Sequence, residues 1–157
     1  EARGQMKAIG TRAGYSFDYT GQGEAPQARL WNTLQAHKLL LWTLAQHGPE
    51  KQTELKLALF DAHFQQRRNV SDTAVLLDIA ESVGIDRDAA AAAFDSQVLT
   101  RQVIDEQQMA YDMNVNGVPA MVINGKFLIP GAQEPETYAN ALRRVVAREA
   151  ELAARAG

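Results

Sequence analysis

The chain has 157 residues, the size of one ordinary domain, and a chain of this length buries roughly two thirds of its unfolded surface. Its net charge of -3 comes from 16 basic and 19 acidic residues mixed along the sequence, so we expect neither nucleic acid nor a membrane as partner. The longest apolar stretch, Leu39–Leu44, is far shorter than the roughly 20 residues of a spanning helix. There is no cysteine, which excludes a thiol nucleophile and a thiolate metal site within these residues.

The three histidines give no support for a metal site. His37, His47 and His63 are widely separated, whereas two ligands on one helical face usually lie three or four positions apart. We therefore expect no metal and no other cofactor.

Residues 1–113 are predicted to be mainly helical. Positions 1–14 are rich in helix formers, and a loop with alternating Tyr15, Phe17 and Tyr19 follows, whose rings we expect to fix it to the body. Apolar residues then recur at helical spacing, between cap and stop signals, in five stretches: Gln27–His47, Glu50–Gln66, a third between Ser71 or Asp72 and Gly84, Arg87–Ser96 after Asp86, and Val98–Met113.

Residues Asn116–Gln133 contain the only convincing β-structure. They read as a strand begun by Pro119, a tight Asn124-Gly125 turn and a second strand, followed by a final helix with Pro135 at its first position. A lone two-stranded hairpin is marginal in water. We therefore expect these strands to belong to a sheet whose other strands are not in this chain.

Pro119 points to an exposed strand edge. Proline has no amide proton and is confined to the start or edge of a sheet, where the main chain of Val118 would face outward. Such an edge can bind an extended peptide. The alternative is that Val118 and Pro119 merely begin a strand.

The same stretch resembles the DsbA family of thioredoxin-like disulfide oxidoreductases, in particular its FrnE-like subgroup. The resemblance rests mainly on Val118-Pro119, the following Ala120–Lys126, and Gly131-Ala132-Gln133. Upstream segments agree with the helical insertion of that subgroup in order and spacing: Asn32–Lys38 with Trp42, Leu59–Phe64, and Leu76–Asp86.

The resemblance implies an α/β fold, thioredoxin-like with an all-helical insertion. Residues 1–113 would form the insertion region, and 114–157 the C-terminal part of the thioredoxin-like domain. The family's first βαβ part, with its Cys-x-x-Cys pair, is expected ahead of Glu1, so we interpret the chain as a fragment that is redox-inert alone.

For function, the resemblance implies a thiol:disulfide oxidoreductase or isomerase acting on protein or peptide thiols and disulfides in the cytoplasm. Pro119 would be the family's cis proline, and Val118 the residue whose main chain pairs with substrate. No catalytic residue is expected in the chain itself, and a homodimer is possible. Asn32 and His37 are further candidates for a cleft, although five positions place them on different helical faces.

Two other readings stay open. The 2-hydroxychromene-2-carboxylate isomerases and kappa-class glutathione transferases share the layout and bind glutathione against the same proline loop. From a different class, the chain would be a non-catalytic helical binding or assembly module, which its lack of cysteine favours. Insulin reduction or glutathione turnover by the complete reading frame would separate the enzymes from the module.

Overall fold

The computed structural model describes residues 2–156, apart from the side chains at positions 2, 3, 5, 6 and 156. Six helices and two strands follow one another there: α1 Ala2–Arg12, α2 Leu34–Phe60, α3 Thr73–Ser82, α4 Arg87–Asp95, α5 Gln97–Asp112, β1 Ala120–Ile123, β2 Phe127–Pro130 and α6 Pro135–Ala156. The chain divides into two compact units, Glu1–Val103 and Ile104–Gly157. The division at 113/114 between insertion and thioredoxin-like part stays a prediction.

Helix α2 begins later than its apolar pattern predicts. The Leu34 amide donates to Asn32 Oδ1 at 2.9 Å, so a side-chain turn stands where the pattern placed helix, and Leu30 is 98% exposed. Gly48, at φ 85°, interrupts the helix before Pro49, as predicted, and two helical arms meet there. A π-helical turn, Asp61–Gln65, ends the second arm.

The first unit has a core formed by α2, α3 and α4. Leu39, Leu55 and Leu76 are fully buried, and Ala90 and Ala93 let α4 approach closely because their side chains are small. The predicted caps at the starts of α3 and α4 are confirmed, since the Ala74 amide donates to Asp72 and the Ala89 amide donates to Asp86. The predicted stop after α3 is also confirmed, because Gly84 adopts φ 78°.

Two lysines of α2 satisfy carbonyls at the ends of the neighbouring helices. The ammonium of the buried Lys38 donates to the Phe94 carbonyl at 2.5 Å, near the end of α4. Lys51 donates to the Val83 carbonyl, just past α3, at 2.8 Å. A cation at a helix C-terminus offsets the negative end of the helix dipole, so these contacts fix α3 and α4 against α2.

The aromatic loop is fixed to the body, as the sequence predicts. Phe17 packs edge-on against Phe64, and the Tyr15 hydroxyl donates to Asp61 Oδ1 at 3.0 Å. Burial, followed by the hydrogen bond to Asp61 and the charge of that carboxylate, raises the pKa of Tyr15 to about 12. The loop is therefore held by both apolar packing and a hydrogen bond.

None of the helices in residues 2–156 is both long and apolar enough to cross a membrane.

The second unit begins in α5 and turns at Asn114. Asn114 has φ 60°, its amide donates to the Tyr111 carbonyl, and the Val115 amide donates to the Ala110 carbonyl. This pair of bonds is the Schellman arrangement, which ends α5 sharply and directs the chain toward β1. The predicted type of turn between the strands is confirmed, with Asn124 and Gly125 both at positive φ.

Helical spacing predicts an apolar stripe on α5 and an inward face on α6, and part of this prediction is wrong. The stripe is Val103, Ile104, Met109 and Met113, and the inward face is Tyr138, Leu142, Val145 and Val146. Ile104 and Met109 of α5, and Leu142 and Val146 of α6, are exposed, whereas Val145 is buried. The helical period correctly groups these side chains, but it does not say whether a partner covers them.

We expect the contribution of Tyr15 to stability to disappear at alkaline pH. Because its folded pKa is raised above the unfolded value of 10.0, the contribution is complete below pH 10 and is lost as the pH rises toward 12. Urea unfolding should therefore give a difference between wild type and Tyr15→Phe that shrinks over this range. Tyr111→Phe is the control, because the Tyr111 hydroxyl makes no hydrogen bond within the described residues; a constant Tyr15→Phe difference would contradict the assignment.

We expect Asn114→Ala to lower the free energy of unfolding by about 1 kcal/mol, because a Cβ without a compensating polar group disfavours positive φ. Asn114→Gly should cost nothing, since glycine adopts this conformation freely. Urea unfolding followed by circular dichroism, with amide exchange at Val115, measures both. Asn116→Ala, a neighbouring asparagine without positive φ, is the control, and equal effects of Asn114→Ala and Asn114→Gly would argue against the backbone explanation.

Candidate substrate-docking site

The hairpin in the second unit forms a two-stranded antiparallel sheet. Its register runs from Ala120 opposite Pro130 to Ile123 opposite Phe127. Within residues 2–156 no third strand pairs with it, so the outer edge of β1 is open in the part of the chain that the structure describes. The strand predicted to begin at Pro119 starts one residue later, at Ala120.

One hydrogen bond shows which main-chain groups of β1 face β2 and which face away from it. The Gly131 amide donates to the Pro119 carbonyl at 2.8 Å, so Pro119 and Gly131 form a hydrogen-bonded pair next to the non-hydrogen-bonded pair Ala120 and Pro130. In this register the nitrogen of Pro130 faces away from β1, so its lack of an amide proton removes no hydrogen bond from the ladder. The amides and carbonyls of Ala120 and Val122 consequently point away from β2, toward the open edge.

Val118 is the most accessible part of this edge. The residue is 92% exposed, and its main-chain amide and carbonyl make no hydrogen bond within the described residues. The peptide bond between Val118 and Pro119 is cis. The structure therefore presents one unused donor and one unused acceptor at the head of an edge strand.

A groove of about 470 Å³ lies at the end of the hairpin that contains Val118 and Pro119. Its walls are the loop that follows α5 and the beginning and end of the hairpin: Asn114, Val115, Asn116, Gly117, Val118, Pro119, Ala120, Leu128, Pro130 and Gly131. None of these residues carries a charge, so the groove offers only main-chain groups, amide side chains and apolar surface to a ligand.

The turn after β2 is held by hydrogen bonds that the sequence pattern does not reveal. The Tyr138 hydroxyl donates to the Gly131 carbonyl and accepts from the Gln133 amide, both at 3.2 Å. The Gln133 side chain donates to the Pro130 carbonyl at 2.8 Å. Periodicity predicts only that Tyr138 faces inward, whereas this role depends on where α6 places its hydroxyl.

The other candidate residues from the sequence lie in the first unit. Asn32 precedes α2 and uses its side chain in the turn described above, and His37 is exposed on the first turn of α2. Burial, with a smaller effect of the Arg67 charge, lowers the pKa of His63, which favours the neutral ring. Within residues 2–156 no group of three or more His, Asp or Glu side chains is placed to hold a metal ion.

Comparisons of the sequence with known proteins agree on one family. The profile of the DSBA-like thioredoxin domain matches residues 4–143. The thiol:disulfide interchange protein DsbA of Azotobacter vinelandii is 31% identical over 98 residues, which are 62% of this chain and 44% of that protein. The chain spans about half the length of the curated relatives that it matches.

Two solved structures share the fold. A candidate protein disulfide isomerase from Nitrosomonas europaea matches with a TM-score of 0.68 at 19% identity, over 92% of this chain and 70% of that one. A DsbA variant from Proteus mirablis, in complex with the non-covalently bound peptide PWATCDS, matches with a TM-score of 0.54 at 27% identity, over 73% of this chain and 62% of that one.

The family profile covers most of the chain, and both structures agree with it. The fold class predicted from the resemblance, α/β and thioredoxin-like with a helical insertion, is thereby confirmed. The chain belongs to the family of DsbA-like thioredoxin domains.

Proposed function

We propose that this chain supplies the substrate-docking part of a DsbA-type thiol:disulfide oxidoreductase, with Val118 and Pro119 as the docking residues. The observation that carries the proposal is the unused main-chain donor and acceptor of Val118 at an open strand edge. The relatives support the proposal in two ways. Several are named thiol:disulfide interchange proteins, and one structure of similar fold contains a bound peptide.

Docking at this edge would extend the sheet with the substrate's own backbone. An extended peptide lying beside Val118 would accept from its amide and donate to its carbonyl, which is the β-augmentation mode of recognition. Because these bonds involve only the main chain, and the groove is uncharged, substrates would be protein or peptide segments of varied sequence around a thiol or disulfide.

The redox chemistry needs a cysteine pair that is not among these 157 residues. In the proposed reaction, a thiolate of that pair attacks a substrate disulfide, forming a mixed disulfide and releasing one substrate thiolate, which takes up a proton. The second cysteine, as thiolate, then attacks the mixed disulfide and releases the other substrate sulfur. The substrate disulfide is reduced by two electrons and the cysteine pair is oxidised, and the reverse sequence oxidises a substrate dithiol.

The FrnE-like subgroup, the cytoplasmic location, binding of glutathione and a homodimer remain predictions of the family resemblance. Glutathione offers a direct comparison with peptide, since the alternative isomerase and transferase activities need it at the same loop. A chain that binds glutathione in the groove of Val118 but no peptide would favour those alternatives over disulfide exchange.

We expect Val118→Pro to weaken binding of the peptide PWATCDS by roughly fivefold to tenfold, because the substitution removes one main-chain donor from the docking edge. Val118→Ala keeps that donor and removes only an exposed side chain, so it should bind within about twofold of wild type. Fluorescence anisotropy with labelled peptide measures the dissociation constants.

Urea unfolding of both variants verifies that they remain folded. Failure of the wild-type chain to bind the peptide would reject the docking assignment. Equal affinity of Val118→Pro and Val118→Ala would reject Val118 as the main-chain contact.

A further inference from the structure

One main-chain hydrogen bond joins Pro119 and Gly131 at the end of the hairpin. In a hydrogen-bonded antiparallel pair, each residue donates its amide to the carbonyl of the other. Gly131 donates to Pro119, but Pro119 has no amide proton to return. Gly131 lies just past β2 and has φ 71°, so its carbonyl no longer follows the strand geometry, and Pro119 offers it no donor.

The Tyr138 hydroxyl supplies a donor to the Gly131 carbonyl. It donates to the Gly131 carbonyl at 3.2 Å and accepts from the Gln133 amide at the same distance. One hydroxyl thus holds both ends of the segment Gly131–Gln133, using its donor and an acceptor lone pair together.

The position of this hydroxyl is fixed by the start of α6. Pro135 begins the helix, and the Tyr138 amide donates to the Glu134 carbonyl at 3.4 Å, so Tyr138 lies in the first turn. The ring is half-buried, which limits its rotamers. Helix α6 therefore holds the turn Gly131–Gln133 through the Tyr138 hydroxyl. The Gly131 amide in turn holds the Pro119 carbonyl.

We propose that Tyr138 is a positioning residue for the docking edge: by holding the turn Gly131–Gln133 it keeps the Gly131 amide on the Pro119 carbonyl, and so keeps Val118 and Pro119 in place. Its role in substrate docking rests on the proposed function, whereas its role in ordering the turn does not. Tyr138 touches no substrate in this proposal and acts only through Gly131.

The test compares wild type, Tyr138→Phe and the control Tyr111→Phe by amide hydrogen exchange and by affinity for the peptide PWATCDS. In Tyr138→Phe the Gly131 and Gln133 amides should exchange roughly fivefold to tenfold faster, because one modest hydrogen bond is lost from each end of the turn. The Met121 amide, inside the ladder, should keep its protection. Peptide affinity should fall roughly threefold to tenfold in Tyr138→Phe and stay unchanged in Tyr111→Phe.

Unchanged exchange at Gly131 in Tyr138→Phe would overturn the proposal whatever the peptide does. Faster exchange at Met121 as well would show a general loss of packing and would also overturn it. Faster exchange at Gly131 with unchanged peptide affinity would reduce Tyr138 to a structural contact. If wild type itself fails to bind the peptide, the docking function is rejected, while exchange at Gly131 still decides whether Tyr138 orders the turn.

Discussion

The hydrogen bond from the Gly131 amide to the Pro119 carbonyl determines which main-chain amides and carbonyls the hairpin exposes. It selects which main-chain groups of β1 face β2 and which face outward, because strand groups alternate with a period of two. A shift of one residue would turn the groups of Ala120 and Val122 inward and those of Met121 outward. The register therefore matters more to the site than any side chain in it.

The two units carry different kinds of interaction. In the first, the helices pack on a core around Leu39 and Leu76, and two lysines of α2 bind carbonyls at the ends of neighbouring helices. In the second, the hairpin leaves main-chain groups unused along one edge, and apolar side chains such as Val146 are exposed. Unpaired edges are normally covered or blunted in proteins, and both the sheet strands expected outside this chain and the proposed substrate are candidates to cover this one.

Sequence predicted the features that depend on a few neighbouring residues. The caps at Asp72 and Asp86 and the turn at Asn124-Gly125 follow from local chemistry, and the structure has them where expected. The start of α2 was missed because apolar spacing continues through Leu30, although a side-chain turn at Asn32 delays the helix. Val118 and Pro119 could be singled out from residue type and resemblance, but the role of the Tyr138 hydroxyl could not, since it depends on tertiary placement.

The most direct measurement is a nitrogen-15 NMR titration of the chain with the peptide PWATCDS. If substrate adds a strand to the open edge, the largest amide shifts should alternate along β1, at Val118, Ala120 and Val122, with smaller shifts at the intervening Met121 and Ile123. Shifts without alternation, or largest in the helices of the first unit, would contradict main-chain docking at this edge.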